Sequence, residues 1–335
     1  MSIDIINESS IKVDWKDIFL EKMFALTLKD SNIEEAFALK CENLPESIFR
    51  FRKIDSEENF EREIQSLKNR EIWLSSPSDY NDPYDCHYYV DKVSCNRDSF
   101  TKILIGSNGV NFLKQYLSVL EIQELYNVIE SNKISNNPKV MDMYNKLNKV
   151  LSDISNTGTQ PMNVIKHIIN EQFMICSFSE INTSILMWSH YASNHKGFCV
   201  EYHLNSIKTN FIPRLIFPVI YTDEIFNATE YYKYASLSMN NTDMPAFNNL
   251  HHIKSAMFKA KCWKYEKEWR FIYPFKNDLG KNNLQIGGMP KAIYFGTKTE
   301  QNHIDKIKAI YSQTNVAFYK MNMLKNKYEL VTNKI

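Results

Sequence analysis

Glycine is scarce in this chain of 335 residues, which contains only eight. Neither G-x-G-x-x-G nor G-x-x-x-x-G-K-[ST] occurs. Those loops bring backbone N–H groups close to phosphates in Rossmann and P-loop proteins. The sequence therefore argues against both kinds of nucleotide site.

Long apolar runs, net charge and paired cysteine motifs are also missing. No apolar run approaches the ~20 residues that span a bilayer, and the first residues, MSIDIINESS, lack the pattern of a signal peptide. Lysine plus arginine (40) nearly cancels aspartate plus glutamate (39), so no overall field attracts nucleic acid or an anionic membrane. Six cysteines without C-x-x-C spacing signal neither a zinc knuckle nor a disulfide framework. We expect a cytoplasmic protein without membrane contact.

The apolar share of 44% and the charged share of 24% are those of a globular protein. We predict an α+β fold, with a mixed β-sheet core and helical insertions at about 97–171 and 223–260 of a single domain spanning 45–332. Residues 1–44 form a predicted helical N-terminal extension. Its helices either cap the main fold or form a docking surface for a protein partner.

The most informative stretch is KCWKYEKEWRFIY, residues 261–273. In an extended chain successive side chains point to opposite faces, so Glu266, Glu268 and Arg270 share one face. A core strand has no need of that pattern. The charged face either meets solvent, with its charges paired, or lines a cleft in which carboxylates do chemistry.

Two earlier segments carry further polar groups. The strand pattern SIFRFRK places Arg50 and Arg52 on one face, and guanidinium groups bind phosphate or carboxylate bidentately. The turn-rich segment PSDYNDPYDC follows a predicted strand and displays Tyr80, Asn81 and Asp82. Asp82 serves the site or only holds the loop through an Asx-turn.

The run FMICSFSEINTSILMWSHYASNHKGFCVEYHL predicts two strands around a short helix. The helix carries Trp188, His190 and Tyr191, which we include with Arg270 among the predicted substrate-binding residues. His190 and His195 are five positions apart and do not share a helical face, so a metal pair is not favoured.

The order of these motifs resembles the bacterial "domain of unknown function 2971" proteins. The matching pieces are SIFRFRK, IWLSSPSDYNDPYD, ICSFSE with LMWSHYASNHKGFCVEY, CWKYEKEWRFIY and the tail from KAIYFGTKT to YELV, within about 45–332. Members occur among bacterial conflict and phage-defence genes. The resemblance implies a toxin or effector in anti-phage defence.

The layout also resembles ADP-ribosyltransferases of the arginine–serine–glutamate type. That resemblance implies that Arg50 or Arg52 holds the dinucleotide. It also implies that Ser75 with Ser76 (or Ser177 with Ser179) braces the site and that Glu268 is the catalytic carboxylate. Glu266 becomes the acceptor-side group. It implies NAD as substrate, in ADP-ribosyl transfer or hydrolysis, with no metal and an unidentified protein or nucleic-acid acceptor.

Two alternatives stay open. A metal-dependent nuclease or phosphodiesterase would hold Mg²⁺ through oxygen ligands and place Lys196 or Lys267 near the phosphate. Its ligands would be Asp82, Asp85, Glu201 and Glu268. A non-catalytic module would bind a nucleotide or a phage protein in an aromatic pocket. Its residues would be Tyr80, Trp188, Tyr191 and Trp263, with Arg50 and Arg52.

Overall fold

The computed structural model describes residues 14–91, 94–95, 111, 114–115, 117–131, 142, 173–204, 212–238, 244–273, 282–285 and 288–335. The chain forms two compact units. The first contains Met1–His87, Ile169–Ile225 and Asn248–Ile335, and the second contains Tyr88–Ile168 and Phe226–Phe247. Most of the helical insertion predicted at about 97–171 lies outside the described residues.

Eight α-helices occur in the described part of the chain. They are α1 (Trp15–Met23), α2 (Ile33–Glu42), α3 (Glu57–Asn69), α4 (Val119–Ser131), α5 (Ile185–Tyr191), α6 (Ile212–Leu215), α7 (Thr229–Ser238) and α8 (Gln301–Ile310). Three 3₁₀ helices span Pro77–Asp79, Asn249–Met257 and Lys261–Glu266.

The strands of the described residues are mostly short. They are β1 (Ser47–Arg52), β2 (Glu71–Trp73), β3 (Tyr88–Tyr89), β4 (Met174–Ser179), β5 (Phe198–His203), β6 (Ile216–Pro218), β7 (Ile220–Thr222), β8 (Phe226–Asn227), β9 (Phe258–Ala260), β10 (Glu268–Tyr273), β11 (Asn283–Gln285), β12 (Ala292–Phe295), β13 (Ala317–Met323) and β14 (Leu330–Lys334).

Eight strands of the first unit form one sheet in the order β14-β13-β12-β5-β1-β4-β10-β6. The pair β12 and β13 is parallel, whereas the other neighbours are antiparallel. This mixed sheet with its helices confirms the predicted α+β class. Short two-stranded pairings, β11 with β2 and β7 with β9, complete the first unit.

The two faces of the sheet bury different sets of side chains. On one face, apolar residues of β1, β4, β5 and β10 pack against α3 and α8 in the main core, with Phe60 and Ile307 fully buried. On the other face, Trp188 of α5 packs in a smaller cluster with Cys199 and Tyr294. Phe49 and Phe51 pack against this smaller cluster, which places them on the face opposite the main core.

The N-terminal helices pack against the sheet. Trp15 stacks on Trp269 at a centroid distance of 6.3 Å, and Lys40 donates hydrogen bonds to the carbonyl groups of Arg214 and Ile216. These contacts join the N-terminal helices to strands β6 and β10 and to α6. A protein partner on the outer side of the helices stays a prediction.

The second unit contains β3 and β8, which pair in parallel, together with α4 and α7. The ring of Tyr231 in α7 lies edge-on to Phe247 at 5.0 Å. The 223–260 segment was predicted to be helical to its end, but Phe258–Ala260 forms strand β9. That strand positions a lysine that the sequence did not single out.

Candidate functional site

A cavity of about 400 Å³ opens on the sheet face opposite the main core. Its lining combines aromatic side chains with carboxylates. The residues are Phe49, Phe51, Asp79, Tyr80, Asn81, Asp82, Asp85, Ser177, Phe178, Ser179, Met187, His190, Tyr191, Lys259, Trp263, Glu266 and Glu268. Aromatic walls with a few polar groups are typical of small-molecule sites.

Strand register brings three parts of the lining together. Glu268 of β10 lies opposite Ser179 of β4, which in turn lies opposite Phe49 of β1. Residues opposite each other in antiparallel strands project from the same face of the sheet. The Glu268 and Arg270 face predicted from alternation therefore borders a cleft and is buried.

Glu266 reaches the same cavity by a different backbone path. We expected it to lie in the strand, but it ends the 3₁₀ helix Lys261–Glu266, and the strand begins at Glu268. Between them Lys267 adopts a left-handed conformation with φ of 45°. This turn breaks the alternation, yet the Glu266 side chain still lines the cavity.

Lys259 joins the two glutamates. Its ammonium donates to Glu266 Oε2 at 2.5 Å and to Glu268 Oε2 at 2.8 Å, and lies 3.5 Å from Asp85 Oδ2. The side chains of all four residues are at most 7% exposed. Buried charges require such pairing, because an isolated one loses its hydration without compensation.

Arg270 forms the wall behind these groups and is fully buried. Its guanidinium donates through Nη2 to Asp85 Oδ2 at 2.8 Å and through Nη1 to Cys86 Sγ at 3.4 Å, and Nη1 lies 2.7 Å from Asp85 Oδ1. It also donates to Glu268, through Nε at 2.8 Å and Nη2 at 3.2 Å, and to the carbonyl oxygen of Ala256 at 2.8 Å. Arg270 thus holds two carboxylates in place and has no donor left for a ligand.

The two glutamates have pKa values shifted in opposite directions. Burial raises the pKa of Glu266 to about 7, and the nearby Glu268 charge adds to the rise against the opposing effect of Lys259. Burial also acts to raise the pKa of Glu268, but Arg270 and Lys259 outweigh it and hold that pKa well below its usual range. The pKa of one carboxylate is thus raised and that of its neighbour is lowered, which is the pattern of acid–base pairs.

Helix α5 carries three of the predicted site residues, Tyr191, His190 and Trp188, and the first two line the cavity. Tyr191 donates its hydroxyl to Glu266 Oε1 at 2.6 Å, and burial raises the pKa of this phenol. His190 lines the cavity and is exposed. Trp188 is fully buried against the edge of Phe51, with its indole N–H donated to the carbonyl of Asn182. Trp188 therefore supports the cavity wall but does not line it.

The Tyr80–Asp85 loop closes another side of the cavity. Asp82 Oδ1 accepts from the Tyr84 N–H in an Asx-turn, and Asp82 Oδ2 accepts from Trp263 Nε1 at 2.7 Å. Asn81 is exposed at the cavity. The Tyr80 ring lies over the Arg270 guanidinium at 5.7 Å. The Asp82 side chain therefore both shapes the loop and fixes an aromatic wall.

Arg50 and Arg52 lie on the opposite face of the sheet, so the expected grouping with Glu268 does not form. Arg50 donates to the Trp73 carbonyl and contacts Cys176, and Arg52 pairs with Glu63 of α3. Alternation along β1 explains this, because Phe49 and Phe51 take the cavity face.

The serine pair of the transferase-like layout could be placed in two ways. Ser75 and Ser76 do not line the cavity, since Ser75 pairs with Ile175 through its backbone and Ser76 caps the short helix after it. Ser177 and Ser179 do line it. Ser179 donates to the carbonyl oxygen of Glu266 at 2.6 Å and so braces the turn between the glutamates.

Three of the four ligands of the metal-dependent alternative, Asp82, Asp85 and Glu268, line the cavity, but the fourth does not. Glu201 binds Ser47, Tyr294 and Lys291 outside the cavity. Among the described residues, no group of three or more His, Cys, Asp or Glu side chains could hold a metal ion. Lys196 and Lys267 do not line the cavity either.

Sequence reasoning missed Lys259 and the two phenylalanines. The signal for Phe49 and Phe51 was present in the alternation of β1, but the pattern does not say which face of the sheet bears the site. Lys259 lies between Phe258 and Ala260 in a segment predicted as helix. Only a predicted strand at this position would have indicated that the Lys259 side chain contacts Glu266 and Glu268.

Comparison with known proteins supports the family resemblance. The family model described as "Protein of unknown function (DUF2971)" matches residues 187–271, from Met187 in α5 to Phe271 in β10. That segment carries Tyr191, Lys259, Glu266 and Glu268. No curated protein and no solved structure matches the chain. Within the described segments, every helix is too short or too polar to cross a membrane.

Proposed function

We propose that the cavity cleaves the N-glycosidic bond of a nucleotide, with NAD as substrate and either water or a macromolecular nucleophile as acceptor. The observation that carries this proposal is the Glu266–Glu268 pair. The two carboxylates share one lysine in an aromatic cavity, and their pKa values are shifted apart.

In this proposal Glu268 is the carboxylate beside the positive charge that develops on the ribose. Loss of nicotinamide passes through an oxocarbenium-like state on the ribose, which a fixed, ionised carboxylate stabilises. Arg270 and Lys259 keep this carboxylate ionised and fix its position. Because it is held before substrate arrives, it needs no reorganisation during the reaction.

Glu266 is the acceptor-side group. A base works best when its pKa is near the working pH, and the pKa of Glu266 is about 7. The Tyr191 hydroxyl and the Lys259 ammonium bind its two oxygens and orient the carboxylate. In this role Glu266 takes the proton from the attacking water or acceptor.

Anchoring of the pyrophosphate differs from the arginine–serine–glutamate scheme. Arg50 and Arg52 lie behind the sheet, and both basic groups next to the glutamates are engaged in ion pairs. The cavity is therefore proposed to hold the nicotinamide–ribose end, with Ser177 and Ser179 at its floor and the phosphates outside.

The test is nicotinamide release from NAD by the purified protein, with and without cell lysate as acceptor and with chelator in parallel. Glu268→Gln is expected to abolish release, and chelator to have no effect. The matched control is Glu201→Gln, because Glu201 is an equally buried, hydrogen-bonded carboxylate outside the cavity. Absence of release by the native chain, or equal loss in both variants, would refute the assignment.

A second candidate function is binding of a nucleotide without turnover. It is favoured by the closed ion-pair network, in which Glu268 is bonded to both Lys259 and Arg270. Structural ion-pair networks also shift pKa values. A binder would take up NAD in calorimetry and keep its affinity in Glu268→Gln while releasing no nicotinamide.

A role as toxin or effector in anti-phage defence is proposed from the family resemblance. If the enzyme consumes NAD, expression of the native chain in bacteria is expected to lower cellular NAD and slow growth. Glu268→Gln at equal protein level is expected to do neither. Equal growth inhibition by both chains would contradict an enzymatic toxin.

A further inference from the structure

The charge of the cavity wall limits what it binds. Among the described lining residues are five carboxylates, those of Asp79, Asp82, Asp85, Glu266 and Glu268, against one lysine. Arg270, directly behind the wall, adds one further positive charge. The carboxylates outnumber these two cations, so the cavity repels phosphate groups and attracts cations.

Aromatic rings surround the same space. Phe49, Phe51, Tyr80, Tyr191 and Trp263 all line it. Ring faces attract cations, and Trp263 already lies 5.3 Å from the Lys259 ammonium. A site that combines carboxylates with the faces of aromatic rings is suited to bind a flat organic cation.

A second observation concerns Tyr80. Its hydroxyl oxygen is buried and has no hydrogen-bond partner in the described part of the chain. A buried polar group without a partner is costly, and native proteins satisfy almost all such groups with a hydrogen bond from protein, water or ligand. A polar substituent on a bound ring would supply that partner.

We infer that the cavity is selective for an aromatic cation carrying a polar substituent, of the carboxamide-substituted pyridinium type. The identity of the ring rests on the proposed function. The inference adds to that function that the cavity recognises the positive charge of the nicotinamide ring, which is the leaving group. The positive ring lies between aromatic walls beside Glu266 and Glu268. Once the bond to ribose breaks, the neutral nicotinamide loses this attraction and leaves.

The test compares two ligands of the same shape by calorimetry on the full chain. 1-Methylnicotinamide carries the charge, and 3-methylbenzamide is its neutral isostere. The cation is expected to bind about tenfold more tightly or better, with the preference shrinking at high ionic strength. Equal affinity for both ligands, or binding of neither, would overturn the inference.

Variants locate the effect in the cavity. Trp263→Leu removes a ring face and is expected to reduce the preference for the cation, whereas Glu201→Gln is expected to keep it. Tyr80→Phe is expected to weaken 1-methylnicotinamide about fivefold while leaving 1-methylpyridinium, which lacks the carboxamide, unchanged. Equal effects of Tyr80→Phe on both cations would contradict the assigned hydroxyl contact.

The binding result and the turnover result are separable. Selective binding of the cation without nicotinamide release would keep this inference and reject the glycosidic cleavage. Release of nicotinamide without any preference for the cation would support the glycosidic cleavage and reject this inference.

Discussion

Replacing Arg270 by methionine is expected to cost much of the stability of the first unit. The guanidinium is fully buried and donates to Asp85, Glu268 and the Ala256 carbonyl. Removing one partner of a buried ion pair costs about 3–5 kcal/mol, because the other charge is left unpaired. Lys259 stays beside both carboxylates and limits the loss, so we expect a value near the middle of that range, about 4 kcal/mol.

Urea unfolding followed by tryptophan fluorescence measures this loss. The control is Lys306→Met, which removes ion pairs to Glu57 and Glu61 on the surface and should shift the unfolding midpoint far less than Arg270→Met, because solvent screens exposed ion pairs. Combining Arg270→Met with Asp85→Asn is expected to recover part of the stability. If Arg270→Met unfolds at the same urea concentration as Lys306→Met, the buried network does not hold the site together.

Three further outcomes are expected. First, kcat/KM for nicotinamide release should rise with pH through about 7 as Glu266 loses its proton, and Glu266→Gln should abolish this rise; a pH-independent rate in the native chain would contradict the base role. Second, burial lowers the pKa of Lys40 to about 7 from 10.5, so the unfolded chain binds more protons between these values and stability rises with pH there. Denaturation at pH 7 and pH 9 should show this rise in the native chain and a smaller one in Lys40→Met. Third, Gly197→Ala should destabilise by about 2 kcal/mol, since the added methyl group would overlap the carbonyl oxygen of Arg52 and lie 3.1 Å from Ala192 Cα; unchanged thermal unfolding would show that the backbone yields there.

Side-chain alternation predicted which residues share a face of a strand, but not how the faces of different strands combine. For β10 this was enough, since Glu268 and Arg270 do project together. For β1 the same pattern correctly separated the arginines from the phenylalanines. Which set meets Glu268 depends on the register through β4, and that register is set by contacts between residues far apart in sequence.

The environment of the glutamates was also beyond sequence reasoning. Glu266 reaches the cavity only because Lys267 turns the chain through a left-handed conformation, which a non-glycine residue rarely adopts. Lys259 is brought to both carboxylates by β9, a strand in a segment with helical periodicity. Local propensity did not indicate either feature, because tertiary pairing decides both.

The back wall of the cavity joins Asp85 and Arg270, which are 185 positions apart in the chain. During synthesis Asp85 therefore leaves the ribosome long before its arginine partner exists. Glu266 and Glu268 are also made long after the Tyr80–Asp85 loop on the other side of the cavity. The cavity is therefore complete only when most of the chain has been synthesised. If the chain consumes NAD as proposed, it would thereby stay inactive while it is still being synthesised.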